Sequence, residues 1–211
     1  MFITFEGPEG SGKTSQIRLL AAFLQEMGYS VLTTREPGGT RIGDQIRACL
    51  HDVANTEMTA AAEVLLYSAS RAQLVREVIR PALAAGQVVL CDRFYDSTIA
   101  YQGYGRTLDR DTLHRITHFA TEGLKPNLTI LLDIDVEKGL ARRVANAAEM
   151  NRLDLEQVSF HQRVRQGYHA LAHAEPARWL IVDADRTVDA VQVDLQTVLL
   201  ERLEEVVKRE A

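Results

Sequence analysis

Gly7-Pro8-Glu9-Gly10-Ser11-Gly12-Lys13-Thr14 spells G-x-x-x-x-G-K-[ST] between the apolar run Phe2-Ile3-Thr4-Phe5 and the amphipathic run Ser15 to Met27. A strand, a glycine-rich turn and a helix in that order make a phosphate-binding loop. Successive backbone N–H groups must curl around an oxyanion, so Gly10 and Gly12 supply unusual dihedrals and close backbone approach. The helix that follows adds the partial positive charge of its N-terminus. Gly7, Pro8, Glu9, Gly10, Ser11, Gly12, Lys13 and Thr14 are therefore the candidate donor-nucleotide loop. Lys13 is expected to reach the β- and γ-phosphates, and the Thr14 hydroxyl to hold Mg²⁺.

Working outward, short apolar runs recur at Phe2–Phe5, Val31–Thr34, Val88–Cys91, Leu128–Asp133 and Trp179–Val182. Each is continuously apolar, as in parallel strands covered on both faces. Helical patterns fall between and around them, near 14–27, 41–51, 60–84, 109–121, 136–147, 154–174 and 187–207. Asp109, Asp135 and Thr187 stand as N-caps, and Gly28 and Gly86 as helix stops. The alternation predicts one α/β domain over residues 1–211, with a doubly wound, five-stranded parallel sheet and helices on both faces. The polar, Ala-rich stretch 146–151 suits a lid rather than a domain boundary.

Composition bounds the function. The chain has 211 residues, 46% of them hydrophobic and 25% charged, within the ordinary globular range. A net charge of −5 argues against a general nucleic-acid or membrane-surface binder. No apolar run reaches membrane-spanning length, and the first residues enter a strand at once. Cys49 and Cys91 are expected as buried free thiols in a reducing compartment, which places the protein in the cytoplasm. Of the 24 Lys and Arg residues, only Lys13, Lys125, Lys138 and Lys208 are lysines.

Ligands of open α/β sheets sit at the carboxyl ends of the strands. After the second run comes Thr34-Arg35-Glu36-Pro37-Gly38-Gly39-Thr40, and after the third Asp92-Arg93-Phe94. Turn chemistry explains the prolines and glycines but requires neither Arg35 nor Arg93. Two arginines at adjacent strand ends beside a phosphate loop read as a clamp for a second phosphate, with a structural ion pair as the alternative. His114 and His118 share a helix face but have no third ligand in register, so they read as surface or interface residues.

These segments together resemble the bacterial thymidylate kinases, a P-loop nucleoside monophosphate kinase family. Phe5 to Thr14, Thr34 to Thr40, Asp92 to Phe94 and Ser97-Thr98-Ile99-Ala100-Tyr101-Gln102-Gly103 carry the resemblance. Ala62 to Gln73 and Asn151-Arg152-Leu153-Asp154 support it. It implies transfer of the γ-phosphoryl of ATP to dTMP, with Mg²⁺, in a homodimer formed through helices of the 41–121 region. It further implies that Arg35 and Arg93 contact the acceptor phosphate and that Glu9 receives the sugar 3′-hydroxyl. Tyr67 would stack on thymine and Arg71, one helical turn on, would hydrogen-bond thymine O4. Thr98 and Gln102 would lie near the base, and Tyr101 would crowd the 2′ position against ribonucleotides. Asp92 would orient the metal together with Thr14. An ionised acceptor phosphate needs no general base, so positioning and charge carry the chemistry.

In the bacterial type the loop lacks an arginine and a lid supplies it. Positions 8–11 here contain no basic residue. The lid spans about 142–154, and Arg152 is the first candidate for the transition-state arginine, Arg142 the second; some relatives have a basic residue where this chain has Ala148. Two other readings remain at this point: a kinase for a different nucleoside monophosphate or a deoxynucleoside, and a nucleotide-dependent switch or scaffold.

Overall fold

The structure, a computed structural model, describes residues 1–145 and 151–210. Five parallel strands form one sheet: β1 (Phe2–Glu6), β2 (Val31–Arg35), β3 (Val88–Asp92), β4 (Leu128–Asp133) and β5 (Trp179–Asp183). Their order is β2-β3-β1-β4-β5, so β1 is central and every residue of it is buried. Alternation along β1 sends its side chains to two cores. Ile3 and Phe5 join Leu20, Leu24, Leu90 and Leu195 on one face. Phe2 joins Leu74, Ile79, Val89 and Phe94 on the other.

The helices are α1 (Lys13–Glu26), α2 (Arg41–His51), α3 (Ala60–Leu74), α4 (Arg80–Ala84), α5 (Tyr95–Thr98), α6 (Arg110–Thr121), α7 (Val136–Val144), α8 (Val158–Ala174) and α9 (Val188–Glu210). The caps fall where the sequence puts them. Asp109 Oδ1 accepts from Thr112 N at 2.8 Å, and Asp135 Oδ1 from Glu137 N at 3.0 Å. The Thr187 hydroxyl accepts from Ala190 N at 3.3 Å.

Five expectations need correction or limits. The pattern over 60–84 is not one α-helix, because Val75–Ile79 widens to π-type turns before α4. Pro81 has no N–H for the i−4 carbonyl, and the backbone there adopts the wider spacing. Residues 95–105 form α5 and a second π-type segment, Ile99–Gly105, where no helix was expected. The pattern near 154–174 begins at Val158, after a separate single turn, Arg152–Leu155. The end of the 136–147 helix and the lid positions 146–150, including Ala148, lie outside the described residues. Cys91 is a buried free thiol on β3, but Cys49 is exposed because it sits on the outer face of α2. Among the described residues no helix is long and apolar enough to cross a membrane.

Candidate active site

Register brings the functional strand ends together. Phe5 of β1 lies beside Asp92 of β3 and Ile130 of β4, and Arg35 of β2 lies beside Asp92. A cavity of about 1290 Å³ opens at this edge, lined from the phosphate loop, β2, α2, α3, the β3–α5 corner and α7.

The loop turns with Gly10 and Gly12 at φ 70° and 88°, as the motif requires. Gly10 has a second constraint that the motif does not reveal. A Cβ there would lie 2.1 Å from the Gly139 carbonyl, and a Cβ on Gly139 would lie 2.3 Å from the Glu9 carbonyl. The loop tip therefore rests on α7 through a backbone contact that only two glycines permit. Lys13 Nζ donates to the carbonyls of Gly7 and Pro8 at 3.2 and 3.0 Å, and to the Ser11 hydroxyl at 3.3 Å. Burial, joined by Arg93, lowers its ammonium to about 8 against the pull of Glu9 and Asp92.

Thr14 Oγ1 donates to Asp92 Oδ2 at 2.8 Å. A hydroxyl and a carboxylate side by side at the mouth of a phosphate loop are hard oxygen donors. They fit Mg²⁺, which takes one or two protein oxygens together with phosphate oxygens and water.

Arg93 is the hub of the cavity wall at the end of β3. Its backbone is left-handed at φ 68°, an uncommon state for arginine that is typical of functional corners. Nη2 donates to Glu9 Oε1 at 2.9 Å and to the Tyr101 hydroxyl at 3.0 Å. Nη1 donates to the Gly7 carbonyl, Ser97 and Tyr168 at 3.2, 3.2 and 3.0 Å. Burial alone would raise the Glu9 carboxyl, but Arg93, Lys13 and the Tyr101 hydroxyl hold it down at about 2. Behind this hub Glu6 is buried, accepting from Phe94 N at 2.8 Å, Ser97 at 2.6 Å and Tyr168 at 2.9 Å. Burial, and then Asp96, push its carboxyl up to about 7.

Arg35 is half exposed at the cavity mouth, with one 3.3 Å contact to Asp44. Arg71 is the opposite: it is 1% exposed, with Nε on Glu36 Oε2 at 2.8 Å and Nη2 on the Phe94 carbonyl at 3.3 Å. Its Nη1 and Glu36 Oε1 are buried without a protein partner. Polar atoms so placed suit the edge of a base. Tyr67, Thr98, Tyr101 and Gln102 line the same cavity.

The lid-side arginines divide. Arg142 lines the cavity, donating to the Ala184 carbonyl at 3.2 Å and lying 3.4 Å from Asp185. Arg143 lines it too, with Nε on Asp154 Oδ2 at 3.1 Å. Arg152 does not line it: its side chain is buried against Glu63 of α3. The sequence reading put Arg152 first because of its motif, but its guanidinium turns away from the cavity that its neighbours Asn151 and Leu153 face.

Several cavity residues went unread. Arg47 and His51 on α2 face it, and Arg47 donates to the Pro37 carbonyl at 2.9 Å. Their i, i+4 spacing from the buried Gly43 was the available signal. Burial, and then Arg47, bring the His51 imidazole down to about 4. Glu6 and Tyr168 gave no signal, since both act from behind the cavity wall.

The thymidylate kinase family model matches residues 5–195. A thymidylate kinase of Geotalea daltonii is 56% identical over 208 residues, covering 96% of this chain and 97% of the relative. A thymidylate kinase of Deinococcus radiodurans is 51% identical over 202 residues, covering 96% and 97%. The crystal structure of thymidylate kinase from Ehrlichia chaffeensis superposes with a TM-score of 0.76 at 33% identity, covering 94% of this chain and 98% of that one.

Proposed function

The chain belongs to the thymidylate kinase family and its activity is that of a thymidylate kinase; we propose that the cavity described above carries it out, moving the γ-phosphoryl of ATP to dTMP to give dTDP and ADP. The observation that supports this most is the sharing of one cavity by the phosphate loop and by Arg35 and Arg93. A simple NTP switch needs the first anion site and not the second.

The donor sits on Gly7 to Thr14, with Lys13 released from its own loop carbonyls to the β- and γ-phosphates. Thr14 and Asp92 would hold Mg²⁺, which would offset charge on the phosphates. Arg35 and Arg93 fix the acceptor phosphate in line, and their forks offset repulsion between two polyanions. Glu9, ionised and pinned by Arg93, accepts from the sugar 3′-hydroxyl. Tyr101, held by Glu9 and Arg93, crowds the 2′ position. Thymine stacks on Tyr67, meets Arg71 Nη1 at its carbonyl, and is flanked by Thr98 and Gln102. The transition-state cation comes from Arg142 or Arg143, which line the cavity, and not from Arg152.

We read residues 1–211 as one cytoplasmic kinase domain with a short lid at about 142–154. A second copy of the chain is its partner, and apolar side chains on α3 and α6, Leu65 at 59% and Phe119 at 85% exposure, support that reading. An acceptor panel tests the function: dTMP should give dTDP, with UMP, CMP, AMP and thymidine nearly inert. Equal rates on several monophosphates would discard the thymine pocket.

A further inference from the structure

One buried carboxylate joins two parts of the molecule that the reaction uses. Glu63 is 1% exposed in the first turn of α3, one helical turn before Tyr67. Its Oε1 accepts from Gln102 Nε2 at 2.8 Å and from Arg106 Nε at 2.8 Å. Its Oε2 accepts from Arg106 Nη2 at 3.1 Å and from Arg152 Nη2. Arg106 also reaches Glu156 at 2.8 Å. The return segment from Asn151 to Glu156 is thus stitched to Glu63 at both ends, directly through Arg152 and by way of Arg106 through Glu156. Two carboxylates and two guanidiniums close the cluster without net charge, which is how such groups persist when buried.

We propose that Glu63 is a positioning residue that couples the acceptor-base pocket to the lid's return segment, with Gln102 as its acceptor-side contact and Arg152 as its lid-side contact. This rests on the thymidylate kinase reading of the cavity. Arg152 touches the cavity with neither of its ends, yet Asn151 and Leu153 on either side of it line the wall. Moving Arg152 moves that wall, and through Glu63 it also moves Gln102 and the helix that carries Tyr67. Arg143 joins the same unit indirectly, because its partner Asp154 belongs to the return segment that Arg152 ties to Glu63.

The test is a double-mutant cycle on steady-state constants, using Gln102→Ala and Arg152→Gln in the full chain. Arg152→Gln should raise the dTMP KM about tenfold while shifting the ATP KM less than twofold. The Gln102→Ala/Arg152→Gln chain should be no worse than the poorer single variant, since residues acting as one unit are non-additive. Glu63→Gln with Arg152→Gln removes one charge of each sign and guards against misfolding. It should show the same tenfold rise with a melting temperature near wild type. A dTMP KM within twofold of wild type in Arg152→Gln, or single effects that multiply, would overturn the proposal and leave Glu63 a structural anchor. A wild-type chain that ignores dTMP would instead remove the reading underneath it.

Discussion

Arg93 Nη2 sits 2.9 Å from Glu9 Oε1, so the arginine at the end of β3 is locked to the acid inside the phosphate loop. The phosphate loop and the β3 corner are therefore joined by one ion pair whose arginine pays backbone strain at φ 68°. Glycine at that position relieves the strain and removes the clamp. Arg93→Gly should lower kcat/KM for dTMP by at least about 10²–10³, the range for losing one preorganised donor. Arg93→Lys should be nearly as poor, since an ammonium cannot reproduce the five contacts of the fork. Activity within tenfold of wild type in either variant would contradict the clamp.

The Thr14–Asp92 contact makes a metal prediction. Thr14→Val keeps the shape of the side chain and removes the oxygen. The Mg²⁺ concentration for half-maximal rate should rise about 10–100-fold, as for other losses in the surroundings of a metal, and the dTMP KM should hardly move. An unchanged Mg²⁺ requirement would take Thr14 out of the metal site.

Arg71 and Glu36 are buried together, at side-chain exposures of 1% and 3%. Arg71→Met leaves Glu36 uncompensated and should cost about 3–5 kcal/mol of stability. Glu36→Gln with Arg71→Met should recover most of that in a denaturant melt but not the dTMP KM, because the base keeps no donor. Recovery of both would make Arg71 a structural residue only.

A pH dependence follows from Glu6, whose carboxyl burial and Asp96 raise to about 7. Its folded value lies above the ordinary 4.5, so the folded state binds more protons between about 4.5 and 7. Stability from this group is present below that window and is lost as pH rises through it. Glu36, raised to about 7 by burial, acts in the same direction. Denaturant midpoints from pH 4.5 to 8 should therefore fall less steeply in Glu6→Gln than in wild type. Parallel profiles would show that Glu6 does not titrate there.

The fold was legible because the inner strands β1, β3 and β4 are short apolar runs buried on both faces, and because caps such as Asp109 and Asp135 declare themselves. Local pattern failed where the backbone leaves the 3.6-residue period, at Val75–Ile79 and at Ile99–Gly105. The second of these segments carries Tyr101 and Gln102, which line the cavity, so the part hardest to read as structure also forms its wall. Position alone pointed to the strand-end residues Arg35, Asp92 and Arg93 that line the cavity. Glu6, Tyr168 and Glu63 were invisible because their roles come from contacts across 162, 91 or 89 residues of sequence, as Tyr168 with Glu6, Ser97 with Glu6 and Arg152 with Glu63 show. The burial of Arg152 was invisible for the same reason: its motif is local, and its partner Glu63 is not.

If one cavity holds both a nucleotide donor and dTMP, the two ligands must act together. The initial rate of ADP formation from ATP and Mg²⁺, with and without dTMP, tests it most directly. The rate should rise at least about 100-fold on adding dTMP, with one dTDP formed per ADP. An equal rate with and without dTMP, while ATP still binds, would contradict it.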